Sequence, residues 1–83
     1  MERNMIMQNV GEYIVQNVGM DDIDHDLDIF EEGLVSSLFA IELMTYLERN
    51  FEVKVTMEDL DMDNFKSVNS ICEYIMEKKN SAV

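Results

Sequence analysis

Apolar residues recur along the chain at helical spacing. Ile6, Val10, Tyr13, Ile14 and Val18 lie three or four apart, which predicts an amphipathic helix from about Glu2 to Val18. Gly11 weakens that helix slightly, and Gly19 stands where a helix-ending glycine belongs. The next stretch, GMDDIDHDLDIFEEGL, has no period. Ile23, Leu27, Ile29 and Phe30 punctuate it, so it reads as a long ordered loop pinned by those side chains. A second helix opens at Ser36 or Ser37 and runs to about Asn50 or Phe51. A connector follows, extended through Val53 and Val55. Thr56 is placed to cap a short helix over Met57–Met62. Ser67 is placed to cap a last helix whose inner stripe is Val68, Ile71, Cys72 and Ile75. Lys78 and Lys79 suit the negative end of that helix, and the chain is expected to fray after Asn80.

The pattern thus predicts an all-α fold of three main helices and one short one, with a long ordered loop between the first two. At 83 residues it is a single domain spanning 1–83, with its core at about 3–79. A chain this small buries a modest core and has little room for a deep catalytic pocket.

Charge narrows the partners. Eighteen acidic residues against six basic ones give a net charge of −12. Nucleic acid and anionic membrane surfaces would repel such a chain. Basic partner proteins would be steered toward it. A hydrophobic content of 47% argues against disorder. The one cysteine, Cys72, can form no internal disulfide, which fits a reducing cytoplasm. No window is apolar for long enough to span a membrane, and MERNMIMQNV lacks the long apolar run of a signal peptide. A monomer is expected.

The second helix carries the candidate chemistry. On a wheel of 100° per residue, Ala40, Leu43, Met44, Leu47 and Phe51 fall on an arc of roughly 100°, the expected core face. Leu38, Ile41 and Thr45 lie on the outer side, and Phe39 and Tyr46 on a flank. Glu42, Glu48 and Arg49 are also outside the core arc. The helix therefore has more apolar surface than its core needs, in the manner of a docking surface. Ser36 is a good N-cap residue. Ser37 falls in the first turn, where the helix dipole and unpaired N–H groups favour a phosphate ester. Two readings remain open on residue chemistry alone: a plain capping pair, or a cap plus an attachment point for an anionic group.

The stretch IFEEGLVSSLFAIELMTYLERNF, followed by VKVTMEDL and NFKSVNSICEYI, resembles the acyl carrier and peptidyl carrier protein family. The marks are a triplet, here Ser36-Ser37-Leu38, opening a helix that continues through Glu42-Leu43 and ends at Glu48-Arg49-Asn50-Phe51. The resemblance covers almost the whole chain. It implies an acyl-carrier-like bundle that catalyses nothing itself. It implies a covalent 4′-phosphopantetheine on Ser37, with Ser36 in the capping role. That arm, about 20 Å when extended, would hold acyl or aminoacyl cargo as a thioester. The implied partners are a phosphopantetheinyl transferase, an adenylating or acyl-loading enzyme, and downstream synthases, transferases or tailoring enzymes. Leu38, Phe39, Ile41, Glu42, Thr45 and Glu48 would meet those partners. Fatty-acid carriers of the commonest kind have aspartate where Ser36 stands and an acidic residue where Phe39 stands, a departure from that role here, and DNFKSVNSI resembles stand-alone carriers of polyketide or nonribosomal peptide pathways, the first-ranked role. FEEGLVSS also resembles the D-alanyl carrier protein of teichoic acid modification, ranked second beside a fatty-acid carrier. The rival of a different class is an acidic helical adaptor with no covalent arm.

Other constellations carry less. Asp22, Asp24 and Asp26 begin like a calcium loop, but its sixth and twelfth positions are Leu27 and Gly33. Asp59, Asp61 and Asp63 fail in the same way, with Asn64 and Ser70. No metal site is expected. His25 would have to meet Ser36 or Ser37 to make a hydrolase, and the G-x-S-x-G elbow is absent. Cys72 reads as an inert core thiol. Tyr13, Tyr46 and Tyr74 read as core-edge residues.

Overall fold

A computed structural model describes residues 3–81, excluding the side chains of Met62, Asn80 and Ser81. Four helices follow one another: α1 Arg3–Val18, α2 Ser37–Phe51, α3 Met62–Phe65 and α4 Val68–Ser81. No strand occurs among the described residues. The expected start of α1 at Glu2 lies outside the described residues. Fraying after Asn80 lies outside them too, except at Ser81, which is still helical.

The helix ends follow their local chemistry. Gly19 takes a left-handed φ of 74° and ends α1. The Gly19 and Met20 N–H groups both donate to the Val15 carbonyl, at 2.9 and 3.1 Å, which satisfies a carbonyl the helix leaves free. Ser67 caps α4 as expected: its Oγ accepts from the Ser70 N–H at 3.1 Å. The short helix is displaced from its expected place. Thr56 Oγ1 accepts from the Asp59 N–H at 3.3 Å, but only a turn follows. The helix proper begins one turn later, because Asp61 is the better cap: its carboxylate accepts from the Asp63 N–H at 2.9 Å.

One core holds these elements together. α1 contributes Ile6, Val10 and Ile14, and α4 contributes Val68, Ile71, Cys72 and Ile75, all fully buried. The expected inner stripe of α4 is therefore the observed one. α1 packs on α4, and α3 packs on α4 through the edge-on contact of Phe65 with Tyr74 at 5.2 Å. Burial raises the Cys72 thiol, which leaves little reactive thiolate.

The connector is fastened to α4 by one carboxylate. Asp59 Oδ2 accepts from Lys78 Nζ at 2.7 Å and from the Tyr74 hydroxyl at 3.1 Å. Lys78 first, aided by the Thr56 amide and the Tyr74 hydroxyl, holds the Asp59 carboxyl down at about 2, while burial and Asp59 push the Tyr74 hydroxyl up. A depressed carboxylate stabilises the fold above its unfolded pKa, near 4, and loses that contribution as pH falls through its folded value. Asp59→Asn is therefore expected to cost about 1 kcal/mol at pH 7. Urea melts should show that difference shrinking between about pH 4 and pH 2.

Candidate functional site

The approach to Ser37 is built from the loop that precedes it. Ile29 is fully buried, and its carbonyl accepts from the Leu34 and Val35 N–H groups at 3.0 and 3.4 Å. Asp28 Oδ1 accepts from the Phe30 and Glu31 N–H groups at 3.0 and 2.9 Å. Gly33 turns the chain with a φ of 73°, a conformation that disfavours any side chain. The loop is also tied across the molecule. The Ile29 N–H donates to the Lys66 carbonyl at 2.8 Å, and the Asn69 N–H to the His25 carbonyl at 3.0 Å. The Asn69 side-chain amide donates to Asp26. Asp26 and Asn69 are 43 positions apart, so no local pattern announces the tie.

Ser36 has the extended backbone of an N-cap, with φ −91° and ψ 169°. Its carbonyl accepts from the Phe39 N–H at 3.0 Å. Its hydroxyl makes no cap hydrogen bond, so its expected capping role is one of backbone position only. Ser37 is the first residue of α2 and is exposed. Among the described residues no hydrogen bond engages its hydroxyl. No acidic residue stands in the first turn. The unpaired N–H groups there thus meet no carboxylate of their own turn, and a phosphate ester on Ser37 would sit in their favourable field.

The outer face of α2 is as expected at most positions. Leu38 is 68% exposed and Ile41 44%. Glu42 and Thr45 are exposed, with Thr45 Oγ1 donating to the Ile41 carbonyl. Two expected contacts are placed differently. Phe39 is buried, at 5% exposure. Its ring stacks against Tyr13 of α1 at 5.8 Å, and Tyr13 stacks in turn on Tyr46 at 4.0 Å. α1 packs on that flank, so the buried arc runs from Phe39 through Ala40, Leu43 and Leu47 to Phe51, and Met44 is left half-buried. Glu48 is half-buried and accepts from the Val55 N–H at 3.0 Å, which ties the connector to α2. His25 lies in the loop, and its backbone carbonyl is used in the tie to Asn69. No metal-binding group of three or more ligands occurs among the described residues.

An exposed, unengaged hydroxyl on the first residue of an amphipathic helix is open to covalent modification. The phosphopantetheine attachment site family matches residues 10–75, which is most of the chain and includes both serines. The chain belongs to the acyl and peptidyl carrier protein family. Its fold is the acyl-carrier-like helical bundle. The chain is similar to the D-alanyl carrier protein of Lactococcus lactis subsp. lactis, 35% identical over 57 residues, covering 69% of this chain and 72% of that one. It is similar to the D-alanyl carrier protein of Streptococcus uberis, 34% identical over 64 residues, covering 75% and 81%. That of Streptococcus sanguinis is 29% identical over 70 residues, covering 82% and 89%. Carrier proteins are non-catalytic tethers, so this chain is not an enzyme. It carries a covalently attached 4′-phosphopantetheine, and it works with a phosphopantetheinyl transferase and with loading enzymes. Membership removes the adaptor without an arm from consideration. No described helix is long and apolar enough to cross a membrane.

Proposed function

We propose that Ser37 is the attachment residue and that the cargo is D-alanine. The observation that carries the first part is the exposed hydroxyl at the opening residue of α2. When bound, the pantetheine thiol holds the cargo as a thioester. The chain's own residues do the rest. The loop tied at Ile29 and Asn69 holds Ser37 at the rim of the bundle. The first-turn N–H groups stabilise the phosphodiester formed when a transferase moves the arm from coenzyme A: the Ser37 oxygen bonds to the phosphorus next to the pantetheine, the pyrophosphate P–O bond breaks, the Ser37 proton is lost and adenosine 3′,5′-bisphosphate leaves. Ser36 sets the helix start. Leu38 and Ile41 give a partner a small apolar contact, and Glu42 and Thr45 give it a polar rim. Such contacts are weak, which suits a carrier that must leave each enzyme in turn.

The relatives named above support D-alanine over the polyketide or nonribosomal peptide cargo that the DNFKSVNSI stretch suggests. On this reading an adenylating enzyme loads D-alanine in the cytoplasm, and the downstream acceptor is a teichoic acid. The test is loading of the arm-bearing protein by a D-alanine-adenylating enzyme with ATP, followed by intact mass. One alanyl group should appear with D-alanine, and far less with L-alanine or a polyketide extender unit. A preference for another substrate presented by its own loading enzyme would displace the cargo reading while leaving Ser37 in place. Leu38→Asp should slow arm attachment roughly 10- to 100-fold, corresponding to about 1–3 kcal/mol of lost contact, without lowering the melting temperature. Stopped-time mass spectra and a thermal melt check both halves.

A further inference from the structure

α1 contains a glycine that neither its backbone nor its packing requires. Gly11 lies within the helix, where a positive φ is absent, and it is buried. A Cβ there would meet nothing within 4 Å beyond its own stretch of helix backbone. Alanine would fit and is the better helix former. The space above Gly11 is a groove of about 380 Å³ between α1 and the loop residues Asp21–His25. Met7, Val15 and Ile23 give it apolar walls. Glu12, Asp21 and Asp22 are exposed at its rim, and no lysine or arginine lines it among the described residues. The loop wall is fixed in place. Ile23 is buried in the core, its N–H donates to Asp22 Oδ1 at 2.8 Å, and the His25 carbonyl is held by Asn69. The groove is therefore preformed.

We propose that this groove is a second docking site, for a basic segment of a partner protein that seats an apolar side chain above Gly11 and directs lysine or arginine toward Glu12, Asp21 and Asp22. Charge selects the occupant. A second copy of the chain brings −12 to a rim that is already negative and is repelled. A purely apolar ligand gains nothing from the three carboxylates. A cationic segment gains from the rim and the floor together. None of the groove residues belongs to α2, so the groove shares no residue with the Ser37 site or the outer face of α2. The inference does not depend on the assignment of Ser37 or of the cargo.

The test is an amide NMR titration of the ¹⁵N-labelled full chain with a capped synthetic peptide carrying leucines three and four apart among lysines. Shifts should concentrate at residues 7–15 and 21–25. Gly11→Leu should weaken binding at least tenfold, and so should the combined Glu12→Gln, Asp21→Asn, Asp22→Asn variant. Neutralising Glu31, Glu32 and Glu58 to glutamine instead should leave the affinity within twofold. Gly11→Ala should melt above the wild-type chain. The proposal is overturned if shifts centre on α2, or if a leucine-free lysine peptide binds equally well. Unchanged affinity in the charge variant also overturns it, as does a Gly11→Ala chain that melts lower.

Discussion

Replacing Phe39 with alanine should cost about 3–4 kcal/mol of folding stability. The ring is 5% exposed and stacks against Tyr13, whose own ring stacks on Tyr46. Tyr46 in turn donates from its hydroxyl to the Asn9 carbonyl of α1 at 3.0 Å. Removing Phe39 leaves a cavity at the α1–α2 contact and takes away one member of that aromatic row. For an 83-residue domain, whose whole stability is on the order of 5–10 kcal/mol, this is a large share. A urea melt at neutral pH measures it. Phe39→Leu, which keeps most of the volume, should recover the greater part. A Phe39→Ala chain that melts like wild type would mean that the ring faces partners after all.

Ser37→Ala should abolish cargo loading altogether and leave the melt within about 0.5 kcal/mol of wild type. The side chain is exposed, makes no hydrogen bond among the described residues, and stands where alanine is well tolerated in a helix. Complete loss of loading without loss of fold is expected of an attachment residue, whereas a docking residue such as Leu38 only slows attachment. Ser36→Ala should still be loaded. Because the Ser36 hydroxyl makes no cap bond, its removal should cost less than the roughly 1 kcal/mol of a working N-cap serine. Deletion of Ser67 Oγ should cost more, since that hydroxyl is buried and bonded to the Ser70 amide.

The helices were legible because their signals are local. The three- and four-residue spacing of Ile6, Val10 and Ile14, and of Val68, Ile71, Cys72 and Ile75, is the core seen in the structure. Gly19 ended α1 through a conformation that its own composition favours. The start of α2 was legible as Ser36 or Ser37, and the helix opens at Ser37 with Ser36 as its N-cap. What escaped depends on tertiary packing. A helical wheel gives the width of an apolar face but does not say which flank a neighbour covers. α1 covers the Phe39 flank, so Phe39 went inside and Met44 to the edge. Asp61 outcompeted Thr56 as a cap over a stretch where both are plausible starts. Glu48 looked like a surface charge because its partner is a backbone amide seven residues later. The ties from Asn69 and Lys66 to the loop join residues remote in sequence, as does the groove over Gly11.

The ties explain how so long a loop presents Ser37 in a defined place. Asp22, Asp24 and Asp26, which begin like a calcium loop in sequence, use their carboxylates on loop backbone or on Asn69, as Asp28 does on loop backbone. Their charge adds to the acidic surface, while their oxygens shape the chain. The same residues therefore supply negative charge and local geometry together.

Peptide mapping of the arm-bearing wild-type chain tests the central assignment most directly. The protein is incubated with coenzyme A, Mg²⁺ and a permissive phosphopantetheinyl transferase, digested, and the fragment spanning GLVSSLFAIEL sequenced by tandem mass spectrometry. The fragment ions should place one phosphopantetheinyl group on Ser37 and none on Ser36. A group found on Ser36, or an unmodified fragment from a chain that is otherwise folded, would contradict the account.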